Sequence, residues 1–289
     1  MKKILLFCIF AYLLAYLLQL SLLNPQNIKS EEAKSVLLLV MWVPAIVTIF
    51  IKKFSKEGFK DVGFRIGNLK YYLFAFLLIL FMVPLEVFLS LLLGVAQYND
   101  KFVTISQGAV QLGEDWKFAV LFGFKNLSLP FFILNNLASM LVASIIGIIF
   151  AFGEELGWRG FLQNKLFTRM RITPGVIILG LIWGFWHLPV NLMGYQPTAN
   201  PQLSALVIFP LFTICLSFIF AWFYIKSKSI FLVSFLHSAN NTINAPLIEK
   251  ILVPKGNPLY RDLTSLAFWL IIALFFFWLL RKEERKGIS

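Results

Sequence analysis

The sequence predicts an all-α fold, a polytopic membrane bundle of about eight transmembrane helices. Three observations carry this. The 289 residues are 59% hydrophobic, with a mean hydropathy of +0.81. Only 14% are charged, against roughly 25% in a soluble domain. Apolar runs of about 20 residues recur along the chain, the length a helix needs to cross ~30 Å of hydrocarbon. Such runs must be helical, because their backbone N–H and C=O groups have to be paired within the span.

The expected spans are 4–23, 35–51, 72–95, 131–153, 174–193, 203–225, 229–248 and 264–280. The first follows Met1-Lys2-Lys3. No small-x-small site closes it, so it reads as a retained helix and not as a cleaved leader. The apolar piece 118–129 is too short to span and reads as a re-entrant or interfacial helix, or as an extension of the fourth span. Thr173-Pro174-Gly175 is expected to mark the turn between spans four and five. No repeat or composition shift divides the chain. It is expected to be one integral-membrane domain, 1–289, with its motif-bearing core at about 131–248.

The net charge of +12 raises nucleic acid as a partner. The placement of the charges argues against it. Lys52, Lys53, Lys56, Lys60, Arg65 and Lys70 lie between spans two and three, and Arg159, Lys165, Arg169 and Arg171 follow span four. Lys226 and Lys228 separate spans six and seven, and Arg281-Lys282 follow span eight. The alternate loops are poorer in base: 194–202 has none, and 96–117 mixes Asp100, Glu114 and Asp115 with lysines. This bias orients both termini to the cytoplasm, most simply in the cell membrane, with anionic lipid as the partner of the basic ends. Cys8 and Cys215 lie within apolar runs and read as small buried hydrophobes.

Ionisable groups inside a bilayer are costly and mark function. The chain has two histidines, His187 and His237, each in an apolar run and each followed four residues later by an asparagine, Asn191 and Asn241. A third run ends in Glu154-Glu155-Leu156-Gly157-Trp158-Arg159. In an antiparallel hairpin of spans four and five, residues equidistant from the turn lie at similar depth. The midpoint between 154 and 187 is 170.5, so Glu154 or Glu155 belongs near His187, provided the fourth helix runs on past Arg159. Adjacent acids point about 100° apart on a helix. Glu155 can pair with Arg159 at i+4, which leaves Glu154 to face His187. A carboxylate near a histidine suits activation of water. A second histidine beside an amide suits an oxyanion. The same groups suit zinc, with Glu154, His187 and His237 as ligands. Asn191 reads as a helix contact, and Glu86 either lines the same cavity or bonds a neighbouring backbone.

These residues resemble the motifs of a known family, the CPBP intramembrane proteases. That family includes the type II CAAX prenyl endopeptidases and the Abi-like bacteriocin-processing or immunity proteins. Glu154-Glu155-x-x-x-Arg159 matches its first motif and His237-x-x-x-Asn241 its third. The middle motif, Phe-x-x-x-His, is met at His187, with Trp183 in place of the phenylalanine. The resemblance covers roughly the C-terminal half. It implies an endopeptidase acting on a membrane-associated protein or peptide. Glu154 and His187 would activate water, and His237 and Asn241 would hold the oxyanion. Glu155 and Arg159 would support them. A glutamic mechanism without cofactor is preferred, with zinc as the alternative. The rival functions are a proton-coupled transporter, since membrane Glu and His also form proton relays, and a non-catalytic immunity or scaffold protein that keeps the fold. Inverted repeats would mark a transporter, and the sequence has none.

Overall fold

The computed structural model describes residues 1–106, 109–113, 126–196, 198 and 200–286. In chain order, α1 (Lys2–Leu22) leads to α2 (Glu31–Val40) and α3 (Val43–Phe54), and then to α4 (Leu69–Leu92). Four short strands follow: β1 (Ala96–Tyr98), β2 (Val103–Ser106), β3 (Ala109–Leu112) and β4 (Asn126–Ser128). α5 (Leu129–Ile146) turns at Gly147 into α6 (Ile148–Gly157), which passes through a π-helical stretch, Trp158–Gln163, into α7 (Asn164–Phe167). α8 (Ile172–Trp186) and α9 (Leu188–Leu192) meet at His187. α10 (Pro201–Leu203) and a second π-helical stretch, Ser204–Ile208, open α11 (Phe209–Ser227). α12 (Ile230–Ala239) gives way to a third, Asn240–Asn244, and then to α13 (Ala245–Ile251). β5 (Leu252–Pro254) precedes α14 (Pro258–Arg285).

Among the described residues, six helical runs are long and apolar enough to cross a membrane: Lys2–Leu22, Glu31–Phe54, Leu69–Leu92, Leu129–Ile146, Pro201–Ser227 and Pro258–Arg285. The expected spans 174–193 and 229–248 fall on α8–α9 and α12–α13, which are shorter or interrupted. Large apolar side chains lie exposed along outer faces, such as Leu73, Leu77, Phe81, Leu85 and Phe88 of α4 and Ile271, Leu274, Phe275 and Trp278 of α14. Their three-to-four-residue spacing is that of a helix face turned to lipid. This is an integral membrane protein. α11 lies at the centre, buried from Cys215 to Ile225 and packed between α8 and α14.

Four expectations differ in detail. The connection 96–117 contains strands: β2, β3 and β4 form one antiparallel sheet, and β1 pairs with β5, Gln97 opposite Val253. Segments of three or four residues are too short to register a period of two. In the apolar piece 118–129, residues 126–129 form β4 and the first residue of α5. Residues 118–125 lie outside the described residues, as do Glu114 and Asp115. The turn expected at 173–175 lies at 168–171, and Pro174 sits in the first turn of α8, where a missing N–H costs no helical bond. Glu86 bonds side chains of a neighbouring helix, not its backbone. It is buried and accepts from Ser265 Oγ at 2.6 Å and Trp269 Nε1 at 3.1 Å, tying α4 to α14.

Both ends of the chain lie at one face. Glu57, between α3 and α4, bridges Lys3 at 2.5 Å and Lys165 at 2.9 Å. Ile172 N–H donates to Glu284 at 3.1 Å, and Lys226 pairs with Glu283 at 3.3 Å. The two lysines hold the Glu57 carboxyl at about 2, down from 4.5. A lowered folded-state value means that this stabilisation is complete above pH 4.5 and is lost as pH falls toward 2. Glu57→Gln should therefore flatten the fall in melting temperature over that window. Equal slopes for variant and parent would show that the bridge contributes nothing.

Candidate active site

The helix that carries the acid pair is oriented by close approach. A Cβ on Gly153 would lie 2.5 Å from the Met41 carbonyl oxygen, and one on Gly157 would lie 2.3 Å from Pro44 Cβ. Two glycines one turn apart thus let α6 pack directly on α3, the small-xxx-small arrangement of membrane helices. With that face taken, Glu154 and Glu155 must project to either side. Gly180 and Gly184 do the same for α8, where added methyls would meet Ile214 and Thr213 of α11 at 2.6 and 2.5 Å.

His187 stands where α8 stops. Pro189 has no N–H to give the Phe185 carbonyl, so the helix cannot continue. Tyr16 Oη of α1 donates to that carbonyl instead, at 2.6 Å, and Tyr12 Oη donates to Ile182 O at 2.6 Å. The last turn of α8 is thereby fixed to α1. His237 is placed by α12, whose N-cap is Ser229, with Oγ accepting from Leu232 N–H at 3.1 Å.

Glu155 and Arg159 pair as expected, with Arg159 Nη1 donating to Glu155 Oε1 at 2.9 Å and both side chains fully buried. The same oxygen also accepts from His237 Nδ1, at 2.7 Å. A carboxylate only accepts, so Nδ1 carries the proton, and Nε2 is the nitrogen left to face other groups, an acceptor in a neutral ring and a donor in an imidazolium. His187 repeats the pattern: Nδ1 donates to the Trp183 carbonyl at 2.9 Å, leaving its own Nε2 free.

Glu154 does not bond His187 directly. Its Oε2 accepts from two indoles, Trp158 Nε1 at 3.1 Å and Trp183 Nε1 at 2.7 Å. Glu154, His187 and His237 are nonetheless all neighbours of one residue, Trp183. Its ring centroid lies 6.2 Å from that of His187 and 5.4 Å from that of His237. Glu154 and His237 are both near enough to act electrostatically on His187. The Arg159 guanidinium lies over both the Trp183 and Phe220 rings, 4.6 Å from each centroid, a cation–π contact with both.

Asn241 stands apart. The α-helix gives way to the wider π-helix at Asn240, so the i+4 spacing from His237 crosses a change of pitch. Asn241 is exposed, and its Oδ1 accepts from Asn240 Nδ2 at 3.4 Å. Asn191 is wholly buried, with no hydrogen-bond partner for its amide among the described residues. Two cavities, of about 150 and 370 Å³, open at the basic face, and neither is lined by Glu154, His187 or His237. Sequence reasoning missed Trp158 and Trp183 as partners of the acid. The signal was present, since Trp158 is four residues after Glu154 and Trp183 four before His187.

A protein called CAAX prenyl protease 2, from Methanococcus maripaludis, is 32% identical to this chain over 88 residues. The match covers 29% of this chain and 32% of that protein, so the chain spans about a third of the length of the curated relative it matches. Residues 133–243, the stretch that holds Glu154, His187, His237 and Asn241, match the family model of the Rce1-like type II CAAX prenyl endopeptidases.

Proposed function

We propose that this protein is an intramembrane endopeptidase that hydrolyses a peptide bond of a membrane-associated protein or peptide. The observation that carries the reading is the convergence of Glu154, His187 and His237, from three separate helices, on Trp183. Glu154 is the general base. It takes a proton from water held against His187 Nε2 as the water oxygen attacks the scissile carbonyl carbon. His237 faces the developing oxyanion. It donates from Nε2 only as an imidazolium, and the Glu155 carboxylate on Nδ1 is the counter-charge that form needs. Asn241 is assigned to the oxyanion by its motif alone. As the tetrahedral intermediate collapses, the proton on Glu154 passes to the leaving amine.

The zinc alternative asks Glu154, His187 and His237 to be ligands. Both histidines keep Nε2 free, which suits a metal. Among the described residues, however, no three His, Cys, Asp or Glu side chains are gathered as a ligand set, and no step here is routed through one.

The substrate class follows the names of the relatives, a prenylated CAAX peptide. The basic face is assigned to the cytoplasm on its excess of lysine and arginine. In sealed vesicles, a farnesylated CAAX peptide offered at that face should be cut, with the product masses locating the bond, and offered at the other face it should not. Cleavage should survive exhaustive chelation. No cleavage from either side sinks the endopeptidase reading. Activity lost on zinc removal and restored on its return shifts the mechanism to the metal.

A further inference from the structure

Glu154 is 2% exposed, yet among the described residues it has no cation as a hydrogen-bond partner. The arginine one turn on is engaged by Glu155 instead. Both partners of Glu154 are indole N–H groups, and both meet the same oxygen, Oε2, at 3.1 and 2.7 Å. Trp183 occupies the position where the resembling motif carries phenylalanine, a ring with no donor at all. From this geometry we infer that Trp158 and Trp183 are positioning residues that clamp one oxygen of Glu154 and leave the other, Oε1, as the atom that takes the proton from water. The inference rests on the reading of Glu154 as the general base.

An indole nitrogen donates and never accepts. An oxygen that receives two such donors has no room for a proton of its own. Oε2 is therefore an acceptor in every state of the reaction, and the proton removed from water goes to Oε1 when the new carbon–oxygen bond forms. The later transfer to the leaving amine starts from the same atom. A guanidinium in place of the indoles would hold the carboxylate equally well. A bidentate guanidinium would also engage both oxygens and leave neither for the proton from water. Two indole donors on one oxygen satisfy it and leave Oε1 as the oxygen that can meet water. The two acids are thereby made unlike: Glu155 is charge-paired with Arg159, and Glu154 is held by neutral groups.

Trp183 does this from a constrained place. Its ring lies under the Arg159 guanidinium at 4.6 Å and against Phe220 at 5.8 Å, and its own carbonyl receives His187 Nδ1–H. The ring that aims Glu154 therefore shares a residue with the group that aims His187. The relative orientation of base and histidine depends on the side chain and the carbonyl of one residue, Trp183, four before His187.

The test removes the N–H and keeps the ring. Trp183 is replaced by β-(3-benzothienyl)alanine, which has sulfur where the indole has N–H, and in parallel by Trp183→Phe. With the farnesylated CAAX peptide as probe, the isostere should lower kcat by about 10–100-fold, the scale of a lost hydrogen bond to a charged group, while KM stays within about twofold. In protein labelled with ¹⁵N at the indole nitrogens, two side-chain N–H signals should be assigned to Trp158 and Trp183. Both should move in Glu154→Gln, whether or not the protein is active. An isostere with parental kcat, or a loss confined to KM, overturns the inference while Glu154→Gln remains inactive and the endopeptidase reading stands. Indole signals that ignore Glu154→Gln overturn it as well. A Glu154→Gln protein that cuts the probe at the parental rate removes the general base, and with it both the reading and the inference.

Discussion

Glu154→Gln should abolish peptide cleavage and leave the protein folded. The expected fall in kcat is about 10²–10⁴-fold, the contribution of a positioned general base. The fold should survive because the amide keeps a carbonyl oxygen of the same size at the same place. Trp158 and Trp183 can still donate to it, so neither indole N–H is orphaned. What is lost is the ability to take a proton. Purified variant and parent should therefore share expression level, elution profile and melting temperature, and differ in turnover of the probe peptide. A variant that aggregates would make Glu154 a structural acid and end its assignment as the base.

The neighbouring acid should behave in the opposite way. Glu155 Oε1 accepts from both Arg159 Nη1 and His237 Nδ1, in a region with no exposed atom of Glu155 or Arg159. Glu155→Gln removes the negative charge from this group and leaves the Arg159 guanidinium buried without a counter-ion. Arg159 Nε and Nη2 already lack hydrogen-bond partners among the described residues and rest on aromatic rings. Breaking a buried ion pair by removing one partner costs about 3–5 kcal/mol. A loss of that size is a large fraction of a native protein's stability. Lower expression and a depressed melting temperature should accompany the loss of activity. Normal expression with a purely catalytic defect would refute this division of labour between adjacent acids.

The membrane class, the apolar runs and the inventory of ionisable residues within them are local properties. An apolar run long enough to cross the bilayer is legible without any tertiary contact, because the bilayer permits only a narrow set of solutions. The pairing of Glu155 with Arg159 is equally local, since i and i+4 meet on any α-helix. The arithmetic that set Glu154 near His187 needed only a hairpin, and its midpoint falls in the observed turn at 168–171. The strands between α4 and α5 were not legible. Each strand is only three or four residues long, too short for its pattern to declare itself, and β1 pairs with β5 from the far end of the chain.

Tertiary structure alone decided which atoms meet. Nothing in the spacing of 155 and 237 announces that His237 shares an oxygen with Arg159, because that contact depends on how α12 packs against α6. Spacing puts Trp158 one turn from Glu154 and Trp183 one turn from His187, but does not reveal that both indoles donate to the same oxygen of Glu154. That depends on Gly153 and Gly157 turning one face of α6 flat against α3 and so fixing the rotation of the helix. The change of pitch at Asn240 and the exposure of Asn241 were likewise not legible in the i+4 spacing. Sequence determined the membrane solvent, the helices and the inventory of reactive groups, because these follow from composition and short-range geometry. The rotation of each helix about its axis is set by long-range contacts, and it was that rotation which decided the partners of each reactive group.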